Sequence, residues 1–243
     1  MNRRSFLQTT AGVVPAVAAA PSVAQAVPRK GRLKQAATRG CFGRGKTMEE
    51  IAAIALRMGL KGIDLVGPAD WPVLKKYGLQ STMCPGGGKL SENINHKENH
   101  AVLEPQYRES IDRAAAFGAP NVIALSGNKR GIADEEGLDN TVAFLNKVKA
   151  HAEDKGITIC LELLNSKVDH KDYQCDRTWW GVEVMKRVNS PRVKLLYDVY
   201  HMQIMEGDII RTIRNNIQYI GHFHTAGNPG RHELDATQEL NYR

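Results

Sequence analysis

No Cys-x-x-Cys pair occurs anywhere in the chain, and only four cysteines, Cys41, Cys84, Cys160 and Cys175, are spread through 243 residues. Such sparseness in a domain of this size argues against a disulfide framework, which belongs to small chains with closely set pairs, although an exported protein could pair two of them. Cys41, Cys84 and Cys160 lie in or beside apolar runs, where a thiol serves as a small core residue. Basic runs are absent too. The net charge is +7, yet no stretch of five Lys or Arg and no alternation of aromatic with basic residues appears. Scattered charge of this kind excludes the basic stripe of a nucleic-acid binder. No G-x-G-x-x-G opens a helix, so a dinucleotide-binding fold loses its main sign. The three glycines of "CPGGGKL", residues 84–90, lack the phosphate-loop spacing and a Ser or Thr after Lys89; they read as a mobile active-site loop.

What is present is an ordinary globular composition, 42% hydrophobic and 24% charged, enough for one large α/β domain. The first 26 residues stand apart. Arg3-Arg4 is followed by Phe6 and Leu7, then by a weakly apolar Ala/Val run that closes on Ala24-Gln25-Ala26, a cleavage-type signature. The run is too short and too rich in Ala to span a membrane. "NRRSFLQ" resembles a twin-arginine export signal. That implies export of the folded chain to the periplasm and no membrane association once the signal is removed. The expected organisation is a signal over 1–26, a linker over 27–36 and one domain over 37–243.

Within that domain, strand and helix patterns alternate about seven times. Strands are expected in "KQAATRGCF", "KGIDLVG", "LQSTMCPG", "NVIALSG", "ITICLELLN", "VKLLYDVYH" and "YIGHFHTAG". Between them lie helical patterns. The first has Thr47 as N-cap, Glu49-Glu50 in its first turn and a stop at Gly59; another has Pro105 near its start and Gly118 at its end. Short apolar strands in a repeating βα rhythm make a parallel sheet buried on both faces. With polar residues gathered at the carboxyl ends of the later strands, the fold expected is an α/β (β/α)8 TIM barrel. After "HFHTAGNPGRHELDATQELNYR" an eighth βα unit would need about 30 further residues, so the barrel is expected to lack that unit.

Glu162, Asp198 and the pair His222 and His224 sit at three successive expected strand ends. Residues two apart on a strand face the same side, so both histidines are expected to point together, toward the barrel mouth. Two carboxylates and an imidazole from neighbouring strands form an oxygen/nitrogen cage for one divalent ion, Mg, Mn, Co or Zn, rather than a thiolate structural zinc. The alternative for Asp198 is that it only caps the segment that follows it.

"CLELLNSKVDHKDY", "YDVYHMQ" and "HFHTAGNPGRHELD" resemble the hydroxypyruvate isomerase-like members of the xylose isomerase-like (sugar phosphate isomerase/epimerase) barrel superfamily. The resemblance covers most of residues 35–243. It implies a divalent metal held by Glu162, Asp198 and His224, with Glu162 also the catalytic acid/base, and substrate contacts from His201, Arg231 and Asn165. A fourth ligand, a glutamate from the eighth strand that is also the second acid/base, has no counterpart here. Histidine at 224 is closer to the epimerase pattern, since hydroxypyruvate isomerases usually carry glutamine there.

The implied activity is isomerisation or epimerisation of a sugar or small hydroxy-keto acid through an enediolate, with a carboxylate on each side of the substrate to take and give the proton. Two further readings are a non-catalytic carbohydrate-binding barrel and an AP endonuclease-like phosphodiesterase; the second asks for more metal ligands and a nucleic-acid face. Relatives of this fold often pair, which allows a homodimer. His96 and His100 are expected as solvated loop residues. Ser126 and Asn128 are expected at the mouth, and Trp71, Trp179 and Trp180 as packing residues.

Overall fold

The computed structural model describes Gly31 and residues 33–242. The expected export signal, residues 1–26, lies outside the described residues, as do linker positions 27–30 and 32. Seven strands follow one another: β1 Ala36–Thr38, β2 Gly62–Asp64, β3 Gln80–Ser81, β4 Asn121–Ala124, β5 Thr158–Glu162, β6 Val193–Asp198 and β7 Ile220–His224. The main helices between them are α1 Met48–Arg57, α2 Trp71–Lys76, α3 His100–Phe117, α4 Asp134–Lys155, α5 Thr178–Val188, α6 Val199–Met205 and α7 Ile209–Asn216. Among the described residues no helix is long and apolar enough to cross a membrane.

Local chemistry sets these boundaries. The Thr47 hydroxyl accepts from Glu50 N at 3.3 Å, and the Glu50 carboxylate accepts from Thr47 N at 2.7 Å. This reciprocal box satisfies two backbone donors that the helix start would otherwise leave open. Met48, Ile51, Ala52 and Ala55 are the buried residues of α1, and their spacing puts one apolar stripe against the sheet. Gly118 and Gly156 end α3 and α4 with φ of 83° and 69°, the left-handed turn that releases a helix most cheaply at glycine.

All strand pairs are parallel and run in chain order, β1-β2-β3 and β4-β5-β6-β7. A single parallel bridge between Cys84 and Val122 joins the two groups into one row. The row is curled. Asp64, ending β2, meets His222 and His224 of β7 at 2.9 and 3.0 Å, so the far strands face each other across an interior. Met83, Ile123, Cys160 and Leu196 fill that interior as a small buried cluster. The larger core lies outside the sheet, under the helices, and includes Ile159 and Leu161 of β5 and Leu195 and Tyr197 of β6. Alternation along each strand divides the two: Cys160 and Glu162 point inward, Ile159 and Leu161 outward. Among the described residues no strand pairs with the outer edge of β1 or β7. Phe223 stands 40% exposed on the outer face of β7, its ring 6.1 Å from that of Tyr197.

Several expectations need correction. Val199, Tyr200 and His201 are helical, not the end of a strand, because Asp198 caps a helix there. Helix α3 starts at His100, so Pro105, expected near the helix start, lies inside it. His96 and His100 are buried rather than solvated. His100 Nε2 bonds the Ile94 carbonyl at 2.8 Å and its ring meets the Phe144 edge, while His96 Nε2 lies 3.1 Å from the Asn128 carbonyl. Cys41 is exposed, and all four cysteines are free. The glycine run has a packing cause: a Cβ at Gly86 would come within 2.0 Å of the Ile123 carbonyl oxygen, so this loop crosses β4 too closely for any side chain.

Candidate metal centre

Four strand ends supply the site. Asp64 closes β2, Glu162 closes β5, Asp198 closes β6 and His224 closes β7. The register pairs Asp198 with His224 and Glu162 with Leu196. Glu162, Asp198 and His224, the three residues singled out from sequence as ligands, therefore converge: one donor atom from each lies within 4.8 Å of the others. A second group at the same spacing is Asp64, His222 and His224. His224 belongs to both through different nitrogens. Its Nδ1 lies 3.1 Å from Glu162 Oε1 and its Nε2 lies 3.0 Å from Asp64 Oδ2.

Charge is concentrated here away from water. Glu162, Asp198 and Asp64 are all buried. Burial pushes the Asp198 carboxyl up to about 6, and the neighbouring Glu162 charge adds to it. Burial disfavours the charged His224 imidazole, but hydrogen bonds to Asp64 and Glu162 outweigh it and raise the group to about 10. Two buried carboxylates plus an imidazole, with protonated His224 as the nearest compensating charge, make a pocket that a divalent cation fits. The donor set is oxygen and nitrogen, which suits Mg, Mn, Co or Zn.

Asp198 divides its two oxygens. Oδ1 accepts from Tyr200 N at 2.9 Å and His201 N at 3.3 Å, capping α6. Oδ2 faces His201 Nε2 and Arg231 Nη2, each 3.6 Å away. Capping and ligation, posed as alternatives from sequence, are thus both open to the same side chain.

His201 is fully buried, and among the described residues its Nε2 has no hydrogen-bond partner. Its other nitrogen is fixed by Asn165. The Asn165 Oδ1 accepts from Val168 N at 3.0 Å and Asp169 N at 2.8 Å, which orients the amide. Its Nδ2 must then donate, to Asp169 Oδ2 and to His201 Nδ1, each at 2.6 Å. A His201 Nδ1 that accepts leaves the proton on Nε2. Burial drives the imidazole to about 3, with Arg231 and His170 adding to it, so the ring is neutral. His201 is a neutral Nε2–H donor aimed beside Asp198 Oδ2. Asn165 lies beneath it, its amide committed within the protein. Arg231 sits at the rim, about half exposed, with its guanidinium carbon 5.5 Å above the Tyr200 ring centre.

Of the residues expected at the mouth, Ser126 turns inward and Asn128 is half-buried. Ser126 is buried, accepting from Cys175 N and donating to the Gly127 carbonyl. Trp71 stacks on Phe117 and donates to the Val66 carbonyl; Trp180 is buried, whereas Trp179 is 58% exposed. Sequence reasoning missed Asp64, Asp169 and His170. Asp64 carried a usable signal, a carboxylate inside the apolar run "KGIDLVG", the same pattern that singled out Asp198.

A family model described as "Xylose isomerase-like TIM barrel" matches residues 72–241. The chain belongs to the xylose isomerase-like TIM barrel family. It is 38% identical over 148 residues to a 2-oxo-tetronate isomerase of Cupriavidus necator, covering 57% of this chain and 55% of that protein. It is 31% identical over 148 residues to a putative hydroxypyruvate isomerase of Danio rerio, covering 57% and 54%. The chain thus spans about half the length of these curated relatives. Among solved structures, one titled AP endonuclease, family 2, from Brucella melitensis superposes with a TM-score of 0.74 at 24% identity, over 85% of this chain and 84% of that one. That likeness supports the TIM-barrel fold, whose active sites lie at the carboxyl ends of the strands.

Proposed function

We propose that the protein is a metal-dependent isomerase or epimerase of a small hydroxy-keto acid or sugar, of the hydroxypyruvate and 2-oxo-tetronate isomerase kind. One observation carries the reading: Glu162, Asp198 and His224 close successive neighbouring strands with their donor atoms within 4.8 Å of one another. The names of the relatives narrow the chemistry to isomerisation. Glu162, Asp198 and His224 would hold the ion. When bound, a divalent ion supplies the positive charge that stabilises an enediolate.

The chain's own groups supply the rest. Glu162 would be one of two carboxylates that move the proton, taking it from the carbon beside the carbonyl; the resemblance gives its return to a second carboxylate on the other side of the substrate. His201 donates its Nε2–H to a substrate oxygen; kept neutral by burial and held in this tautomer by Asn165, it orients and polarises rather than abstracting protons. Arg231 reaches the mouth as a fork-shaped cation suited to a carboxylate or a pair of hydroxyls. The expected signal over 1–26 would place this activity in the periplasm, in one domain from 37 onward. Replacing Arg3 and Arg4 together by Lys should keep the protein in the cytoplasmic fraction.

The test is metal content by elemental analysis, followed by deuterium uptake from solvent into hydroxypyruvate, 2-oxo-tetronate and simple ketoses. About one ion per chain, lost in a Glu162→Ala, Asp198→Ala double variant, together with uptake into one substrate class, is the expected result. A folded chain that retains no divalent ion sinks the reading. An ion without exchange on any candidate turns it toward a binding barrel.

A further inference from the structure

Asp64 is a buried carboxylate that the proposed chemistry does not use. It arrives from β2, on the opposite side of the interior from β7, and is separated from His222 and His224 by 158 and 160 residues. Its Oδ2 accepts from both imidazoles through their Nε2 atoms, at 2.9 and 3.0 Å. The two rings stand nearly perpendicular, 83° apart with centres 5.4 Å from each other, so they converge on one oxygen from different directions. Oδ1 is buried and has no partner among the described residues. A buried carboxylate is held only where donors offset its desolvation, and here the donors are these two rings.

Resting on the metal-isomerase reading of the same site, we propose that Asp64 is a positioning residue for the metal cage. It holds the Nε2–H of His224 and so presents the Nδ1 lone pair between Glu162 and Asp198. An imidazole that gives one nitrogen to an ion must carry its proton on the other, and a carboxylate acceptor there fixes both tautomer and ring angle. The group formed by Asp64, His222 and His224 offers an ion only one negative charge, whereas the Nδ1 side offers two. An ion on the Nε2 side would also strip Asp64 of the donors that now satisfy it. The Nδ1 side is the one for the cation, and Asp64 is its outer support. His222 shares the same oxygen and holds the Asp64 carboxylate in register with His224.

The experiment measures Zn²⁺ affinity of the full chain by competition with a chromophoric chelator, for the wild type, Asp64→Ala and Asp64→Asn. Far-UV circular dichroism and urea midpoints are recorded alongside. Asp64→Ala should weaken Zn²⁺ binding about 10–100-fold. Asp64→Asn, which keeps a carbonyl acceptor at the same place, should recover part of that loss. Long-range 15N spectra of the histidines should show His224 of the Zn²⁺-loaded wild type protonated on Nε2, a readout that needs no variant to fold. Unchanged affinity in folded Asp64→Ala, or a His224 proton on Nδ1 in the loaded wild type, overturns the role of Asp64 while the metal site stands. A wild type that does not bind Zn²⁺, Mn²⁺, Co²⁺ or Mg²⁺ overturns the site reading itself, and this inference with it.

Discussion

Replacing Asn165 separates the scaffold of the site from its chemistry. In Asn165→Ala the amide disappears from a pocket with no exposure. Val168 N and Asp169 N lose their acceptor, and Asp169 Oδ2 and His201 Nδ1 lose their donor. The Asp169 carboxylate keeps the Tyr200 hydroxyl at 2.9 Å and is partly open to water, so its loss is small. His201 is fully buried and has no water to replace the bond. An unsatisfied buried group costs about 1–3 kcal/mol. Counting His201 Nδ1 in full and the two part-buried amides as lesser losses, the variant should be destabilised by about 2–4 kcal/mol.

Asn165→Asp is the sharper probe. The two backbone donors still find an oxygen, but the second oxygen now faces both His201 Nδ1 and the Asp169 carboxylate, each 2.6 Å from the atom it replaces. The imidazole proton is drawn from Nε2 to Nδ1, and the donor aimed beside Asp198 becomes a lone pair. Stability is read from urea unfolding, and the tautomer from 15N histidine spectra. With the substrate found by the exchange assay, Asn165→Asp should lose kcat by more than its loss of stability accounts for. A His201 proton on Nδ1 in the wild type, or an Asn165→Asp variant with wild-type kcat and an unchanged tautomer, refutes the hydrogen-bond reasoning.

Metal removal should destabilise the chain: restoring an ion to 100 times its dissociation constant adds about 2.7 kcal/mol, read as a rise in thermal midpoint that a chelator reverses. Burial holds the His100 imidazole below its ordinary value of 6.5, so on acidification the unfolded chain takes up a proton that the folded chain refuses. The contribution of His100 is complete above that value and is lost as pH falls below it. His100→Gln should therefore flatten the fall in urea midpoint between about pH 7 and 5; an unchanged slope refutes it. Thr47→Ala removes the hydroxyl half of the α1 box and should cost about 1 kcal/mol in unfolding free energy without altering metal affinity.

Much of the site is legible in sequence because the chemistry interrupts apolar runs. Glu162 and Asp198 are carboxylates set within hydrophobic segments, His224 follows one, and alternating strands and helices bring successive strand ends to one face. What was not legible depends on the curl of the sheet. Asp64 interrupts an equally plain run, yet nothing near it in the chain announces His222 and His224, which come from the other end of the row. The error at Val199 and Tyr200 has a local cause. Both residues continue an apolar, strand-favouring run, and only the Asp198 carboxylate, turned back onto Tyr200 N and His201 N, converts that run into a helix. His96 and His100 were misjudged because their segment is polar. Its asparagines, Asn93 and Asn95, are buried and bond backbone carbonyls, which hydropathy cannot reveal.

The choice of Asp at 198 bears directly on function. As an N-cap, Asn serves about as well as Asp and carries no charge. Placing a carboxylate beside Glu162, in a pocket with 2% exposure, sets two negative charges together out of water. The cap itself returns only about 1 kcal/mol, less than such an arrangement loses. A neutral cap would serve the fold alone, so a carboxylate at 198 favours a cation at this site beyond the compensation that His224 and Arg231 give. Asp198→Asn should therefore keep the cap, abolish metal binding, and unfold at a higher urea concentration than the wild type when both are measured in chelator. With saturating metal the order should reverse, because only the wild type gains from the ion. If Asp198→Asn is the weaker protein in chelator as well, the carboxylate stabilises the fold without an ion, and the argument from its charge fails.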